Sequence, residues 1–459
     1  MDTPQILWFR QDLRLDDQAA LAAAAAAGPV APVFVLDDVA PGHWRTGAAA
    51  RWWLHHSLAA LDGALRARGA RLILLRGDAV DQLAALASAL GTAHVHALDH
   101  HEPWARLQQA RLAGRLTLHL HRGVTLAPPA LVRTGAGGRY RIFTPFWRAL
   151  SALMPPPAPA QAPARLAMAA HAPAGEPLAA LDLLPGRPNW AAGWERLWTP
   201  GEAGARAALA RFLRVAARYG TGRNLPGQLL TSRLSAHLHW GEISAATVWH
   251  SVAGAVGEPA AEPFLRELGW RDFAANLIEQ FPESADASQR EAFARLAWRD
   301  DPGDLAAWQR GLTGYSLVDA GMRELWATGW MHNRVRMVVA AFLTKHLLID
   351  WRAGARWFWD TLVDADLGSN TLGWQWSAGS GVDSQMFSRI MDPVAQGRRY
   401  DADGAYVRRW VPELAAVPLR HLHAPWEAAG GPPSGYPGPI VDHRAARARA
   451  LAAWAAARG

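Results

Sequence analysis

The chain of 459 residues contains no cysteine, and that absence removes several classes of protein. Disulfide-stapled secreted scaffolds, thiolate metal centres and iron–sulfur clusters all require the residue. A reducing compartment fits, and we expect a cytoplasmic protein. Long hydrophobic runs are also missing. The N-terminus MDTPQILWFRQDLRL meets charge before any signal-like stretch, and the uncharged run Ala19 to Leu36 is broken by Gly28, Pro29 and Pro32. We therefore expect neither an export signal nor a membrane span. A glycine-rich phosphate loop is absent as well, because RQDLRLDD follows the first apolar run. This argues against an ordinary dinucleotide-binding role for the N-terminal half.

What is present points to two globular domains, since half of the residues are apolar and the length exceeds what one core usually organises. The formal charge of +7 suits an anionic partner, although an arginine- and alanine-rich coding bias explains it equally well. Short apolar runs, ILWF (6–9), PVFVL (32–36), RLILL (71–75), HVHAL (94–98) and LTLHL (116–120), alternate with helical segments such as AAARWWLHHSLAALDGALRARG. That alternation predicts a Rossmann-like α/β domain with a parallel sheet, placed at residues 1–130. The stretch Met154 to Pro177 is too rich in proline and alanine for a packed core and reads as an extended linker, within a connector at 131–200. From about Gly201 the pattern is helical, giving an all-α domain at 201–459.

The candidate chemistry lies in the helical half. In WMHNRVRMVVAAFLTKHLLIDW, Trp330 to Trp351, an otherwise apolar helix opens with His332, Asn333, Arg334 and Arg336, groups that are costly to bury without partners. Asn333, Arg336 and Met337 fall at i, i+3 and i+4 and share a face, while Val335, Val338, Val339 and Phe342 can pack elsewhere. Downstream, LVDADLGSNTLGWQWSAGSG supplies Asp364, Asp366 and Asn370, then Trp374 and Trp376, with the carboxylates as counter-charges for Arg336. In TSRLSAHLHWGEIS, Thr231, Ser232 and Ser235 place hydroxyls at an expected helix start, which is either a phosphate site or an ordinary N-cap. In FLRELGWRDF, Glu267 and Trp270 share one helix face, suited to a flat hydrogen-bonding ligand or to a half-buried surface helix.

Together WMHNRVRM, DADLGSNTLGWQW, TSRLSAHLHWGEIS, LWFRQDLRLDD, FTPFWRAL and YVRRWVPEL resemble the DNA photolyase and cryptochrome family, specifically its cyclobutane pyrimidine dimer photolyases. The resemblance runs from residue 6 to about 455. It implies an α/β antenna domain, a long connector and a helical domain holding FAD beside a DNA groove. By that resemblance Tyr219, Thr231, Ser232, Arg233, Leu234 and Ser235 hold the FAD phosphates and ribityl chain. Asn333, Arg336, Asp364, Asp366 and Asn370 hold the isoalloxazine. Substrate contacts fall on Glu267, Trp270, Asn333, Arg334, Met337 and Trp376, with Arg389 nearby.

The implied activity is that of a carbon–carbon lyase. Light drives an electron from reduced flavin to a flipped-out dimer, the ring opens and the electron returns; photolyases are among the enzymes that extrude their target nucleotide. Glu267 and Asn333 would hydrogen-bond the thymine carbonyls. Trp374, Trp351 and Trp298 match the family's tryptophan chain, which reduces oxidised flavin. With 24 tryptophans in the chain, plain core packing is the competing explanation for any three. His332 reads as structural.

Departures from the family pattern are local. DHHEPWARLQ lacks the Asn or Arg expected in an antenna-binding segment, so folate, deazaflavin and an empty antenna site remain equally compatible. SQMFSRIMDP carries Gln385, Met386 and Asp392 where Ala-Pro-aromatic and Asn-Pro are usual, which leaves the contacts near Arg389 open. The expected partner is dimer-containing DNA, the expected state a monomer, and no metal is expected. A cryptochrome-type light sensor is the alternative; the complete dimer-contact set and the lack of a signalling tail after the helical core favour repair.

Overall fold

The computed structural model describes residues 3–458. Its sheet consists of β1 (Gln5–Phe9), β2 (Val30–Leu36), β3 (Ile73–Arg76), β4 (His94–Leu98) and β5 (Thr117–His121). The spatial order is β3-β2-β1-β4-β5, with every neighbour parallel. β1 and β2 are buried at every position, as strands are when helices cover both faces. On one face Ile6, Trp8, Val33, Ile73 and Val95 share a core with Val80, Leu83 and Leu86 of the Ala79–Leu90 helix. The α/β expectation is met, and the helical expectation for the C-terminal part holds equally.

The segment RQDLRLDD fills the carboxyl end of β1 with side chains. Asp12 accepts from the Arg10 amide at 2.6 Å and from Gln18 Nε2 at 2.9 Å. Arg14 donates to the carbonyls of Gly123 and Gly241, each at 3.0 Å. Arg10 donates to the Leu98 carbonyl at the end of β4, and its guanidinium lies 4.2 Å from the Trp8 ring centroid. Burial lowers its pKa to about 10. Polar side chains satisfy the main chain where a phosphate loop would leave amides facing a ligand.

The linker Met154–Pro177 carries a single bridge, Val30 to Met168, and no helix or strand. Main-chain bonds fasten it along the α/β part: Val30 N to Ala167 O, Ala169 N to Val30 O and Glu176 N to Leu74 O. Its composition forbids a core of its own, so it borrows the edge of another.

The chain divides into two compact units that do not follow sequence order. One takes residues up to 217, 232–282 and 363–368; the other takes 218–231, 283–362 and the chain from 369 onward. In the first unit buried carboxylates tie helices to loops. Asp272 accepts from the amides of Leu126 and Ala127 at 3.2 and 3.1 Å, and burial raises its pKa to about 6. Glu242 accepts from Trp53 Nε1 at 2.9 Å and from the Gly201 amide at 2.7 Å, and pairs with His237. In the second unit Asp319 accepts from the Thr313 and Gly314 amides at 2.7 and 2.9 Å and from Tyr436 Oη at 2.6 Å. Gly329, at φ 68°, ends the Ser316–Thr328 helix in the left-handed conformation that glycine adopts without strain. No helix among the described residues is long and apolar enough to cross a membrane.

Glu279, on the Glu258–Gln280 helix, gives the first unit a measurable pH dependence. It meets His101 at 3.3 Å and pairs with Arg139. Burial alone would raise its pKa, but these two partners hold it at about 2 instead of 4.5. Unfolded chains would therefore bind the Glu279 proton first as pH falls, so the stabilisation is present above about pH 4.5 and lost towards pH 2. Glu279→Gln should cost about 2–3 kcal/mol near neutral pH. In denaturant unfolding followed at several pH values, that difference from wild type should shrink below pH 4.5.

Candidate flavin and lesion site

The Asn333–Ala341 helix resolves the cost of its polar start. Val335, Val338 and Val339 are buried, whereas Asn333 is exposed and Arg336 and Met337 are half-buried, so the two faces separate as the 3.6-residue period requires. His332 is the N-cap: its Nδ1 accepts from the Arg334 amide at 3.2 Å, and its own amide donates to Glu324 at 3.2 Å. Tyr406 Oη donates to the same Glu324 oxygen at 2.6 Å. Burial, with Arg334 and Arg336 nearby, lowers the His332 pKa to about 4, which keeps the cap nitrogen able to accept. Arg336 Nε donates to the Met331 carbonyl at 2.7 Å. Arg334 grips Asn224 Oδ1 with two donors at 3.2 and 2.8 Å and lies 4.5 Å from the Tyr400 ring centroid.

The Leu367–Ala378 helix carries Asn370 and Trp374 at i and i+4, hence on one face. Asn370 Nδ2 donates to the Ala355 carbonyl at 3.1 Å, and Trp374 packs on Gly354, both in the Trp351–Thr361 helix. A Cβ at Gly354 would lie 2.1 Å from Trp374 Cη2. Trp374 also contacts Trp308 and Phe358, with centroids 6.2 and 5.0 Å away. Trp351 is fully buried, its Nε1 donating to Ser288 Oγ at 3.3 Å, and half-buried Trp298 packs against the cluster of Phe293, Leu296 and Leu348. Trp376 is half-buried.

Elsewhere the sequence expectation needs correction. The helix after Thr231 begins at Ser235, is five residues long and has no side-chain cap. Ser232 Oγ accepts instead from the Leu234 amide at 3.3 Å, and Arg233 sits at φ 54°. Thr231 to Leu234 thus forms a turn that leads into this short helix, with half-buried hydroxyls at Thr231 and Ser232 and Leu234 as the N-cap residue. Buried Tyr219 lies in the short Tyr219–Gly222 helix, under the Arg223 guanidinium.

On the Glu258–Gln280 helix, Trp270 stacks on Phe143 with centroids 3.6 Å apart and planes 7° apart. Phe273 meets the Trp270 ring edge-on at 5.7 Å. Glu267, one turn earlier, is half-buried. Buried Asp364 and half-buried Asp366 open the last segment of the same unit. Asp366 lines a polar crevice of about 30 Å³ with Gln11, Arg14, His100, Glu102, His239 and Arg271. The crevice lies beside the carboxyl ends of β1 and β4 and has room for ordered water. Burial and the nearby Asp366 raise the Glu102 pKa.

Around Arg389, which is exposed, the departures acquire roles. Asp392 caps the Pro393–Tyr400 helix through the amides of Val394 and Ala395, at 2.9 and 3.4 Å. Gln385 is nearly buried, donating to the Ser377 carbonyl at 3.4 Å, whereas Met386 is exposed. Lys345 Nζ donates to the Arg389 carbonyl at 3.0 Å.

Residues 5–164 match the model of the DNA photolyase domain, and residues 264–456 match that of the FAD-binding domain of DNA photolyase. The deoxyribodipyrimidine photo-lyase of Agrobacterium fabrum is 46% identical, over 99% of this chain and 98% of its own. The chain belongs to the DNA photolyase/cryptochrome family. A crystal structure described as a bacterial class III photolyase, from Agrobacterium tumefaciens, superposes with a TM-score of 0.95 at 45% identity, over 100% of this chain and 98% of its own. Cryptochrome-1 of Arabidopsis thaliana is 37% identical over 97% of this chain and 69% of its own. An archaeal photolyase from Sulfolobus tokodaii, described with two FAD molecules, superposes with a TM-score of 0.84 at 27% identity, over 99% and 100%.

FAD is the cofactor that comes with this family's helical domain. The donor set fits it: hydroxyls of a tight turn suit phosphate and ribityl oxygens, while guanidinium, carboxylate and amide groups suit the flavin's hydrogen-bonding edge. Sequence reasoning missed the supports of that set. Phe143 behind Trp270 and Tyr406 behind Glu324 stand inside the quoted strings FTPFWRAL and YVRRWVPEL, so a search for aromatic partners could have found them. Nothing in the sequence marks Asn224 or Trp308.

Gly354→Ala tests the seat of Trp374. The added methyl must displace a large buried ring, so we expect a loss of about 1–3 kcal/mol in urea unfolding. An unchanged midpoint would show that the ring relocates without cost.

Proposed function

We propose that the chain repairs cyclobutane pyrimidine dimers in DNA under light, with an antenna domain at 1–130, a connector at 131–200 and a helical flavin and DNA domain at 201–459. The observation that carries this reading is the braced aromatic pair: Phe143 holds Trp270 flat, one helical turn from Glu267. A rigid ring beside a carboxyl group is what an extruded pair of bases needs, because stacking supplies affinity and the carboxyl group reads the base edge.

FAD, when bound and reduced, supplies the electron that light sends to the dimer. Glu267 and Asn333 then hydrogen-bond the base carbonyls as negative charge develops there. Trp270, Met337 and Trp376 shape the lesion pocket, and Arg334 with Arg389 meets phosphate. Tyr219 and Thr231, Ser232, Arg233, Leu234 and Ser235 hold the phosphates and ribityl chain. Asn333, Arg336, Asp364, Asp366 and Asn370 hold the ring. The protein acts as a monomer in the cytoplasm, with or without a folate or deazaflavin antenna. A cryptochrome-type photoreceptor is the second reading, favoured by the likeness to plant cryptochromes.

One assay separates the two. Purified, chemically reduced protein should restore dimer-containing oligonucleotide under blue light and not in darkness; absence of light-dependent restoration with FAD bound favours the photoreceptor. Salt should weaken lesion binding steeply through counterion release.

The tryptophan chain makes a separable prediction. Trp351→Phe keeps a ring of similar shape in the buried position but removes the easily oxidised indole. With oxidised FAD and an external donor, the variant should fail to accumulate reduced flavin under blue light. Reduced beforehand, it should repair at close to the wild-type yield. Undiminished photoreduction would assign the electron path to other tryptophans, with Trp308 the first candidate from its contact with Trp374.

A further inference from the structure

The strands HVHAL and LTLHL have no part in the proposed chemistry, yet β4 and β5 bring four imidazoles together. His94 Nδ1 lies 3.1 Å from His119 Nε2, and His96 Nδ1 lies 3.1 Å from His121 Nε2. The rings form a ladder: His96 stacks on His119 at 4.5 Å and on His121 at 5.3 Å, with planes 23° and 12° apart. The pleat produces this arrangement, since residues two apart on a strand face the same way and the parallel register sets His96 opposite His119.

The two pairs are not equivalent. His96 Nε2 contacts Gln5 Oε1 at 3.0 Å, and Gln5 Nε2 donates to the Thr3 carbonyl at 2.9 Å. That second bond fixes the amide, so Gln5 Oε1 accepts and His96 carries its proton on Nε2. Nδ1 therefore presents a lone pair to His121. An imidazole whose far N–H is anchored by an oxygen is the usual support of a metal-ligating histidine.

We propose that His96 Nδ1 and His121 Nε2 bind one divalent transition-metal ion, with zinc as the representative species and water completing its coordination. At zinc–nitrogen distances of about 2.0–2.1 Å, two nitrogens 3.1 Å apart subtend about 95–100° at the ion, near tetrahedral. For His121 Nε2 to ligate, the proton it offers to His96 must move to the other ring nitrogen or to solvent. Among the described residues no group of three or more His, Asp or Glu forms a metal cage, so the site is an open two-imidazole clamp of moderate affinity. β5 is an edge strand of the sheet, and the ion would pin it to β4.

The test is calorimetric titration of the metal-free full-length protein with zinc chloride in a non-chelating buffer, paired with thermal unfolding. We expect saturable binding of one ion in the micromolar range and a midpoint that rises with zinc. His121→Gln, at a half-exposed position on the edge strand, should abolish both effects, and Gln5→Leu should weaken binding by releasing the His96 tautomer. His119→Gln should retain them. Binding only at millimolar zinc, or unchanged binding in His121→Gln, overturns the proposal. Equal loss in His119→Gln and His121→Gln overturns the assignment to this pair.

Discussion

Every part of this fold that leaves regular structure inside the protein must satisfy main-chain N–H groups away from water, and buried carboxylates meet that demand repeatedly. An unsatisfied buried donor costs roughly 1–3 kcal/mol, so each such group is a strong local constraint. Asp272 takes the amides of Leu126 and Ala127, Asp319 those of Thr313 and Gly314, and Asp401 those of Tyr406 and Val407. Their own desolvation is offset by two or more hydrogen bonds each. The helices that carry site residues inherit their positions from these anchors: Glu324 takes both the His332 amide and the Tyr406 hydroxyl, and His332 caps the helix of Asn333 and Arg336.

The candidate site residues are thereby held by neighbours that fix their orientation. Trp270 owes its plane to Phe143, Arg334 its direction to Asn224 and Tyr400, and Trp374 its seat to the missing side chain at Gly354. Rigid support of this kind matters because electron transfer and base recognition both depend on orientation, and a ring free to turn would lose it. The charged plug Arg10–Asp12–Arg14 works oppositely at the sheet. It occupies the end of β1 where related architectures place a nucleotide phosphate, and a small polar crevice beside Asp366 adjoins it.

Much of the fold was legible in the sequence because strands and helices repeat their backbone geometry, and burial imposes that period on apolar residues. The five apolar runs became five parallel strands, with the third starting at Ile73 and the fifth reaching His121. The split of Asn333, Arg336 and Met337 from Val335, Val338 and Val339 followed from helical period alone. The helix start expected at Thr231–Ser235 is present, but its N-cap is Leu234 and not a serine or threonine, because Ser232 Oγ takes the Leu234 amide in a turn with Arg233 at φ 54°.

By itself, the sequence determined the alternation of elements, the absence of a glycine phosphate loop, the apolar and polar faces of the helices, and the family. These are properties of residues near one another in the chain. Tertiary structure alone decided which distant side chains meet: Phe143 with Trp270, Asn224 with Arg334, Trp308 with Trp374, and the four histidines of β4 and β5 in one ladder. Such contacts depend on strand register and close packing, which the whole chain settles together, so no local pattern of residues carries them.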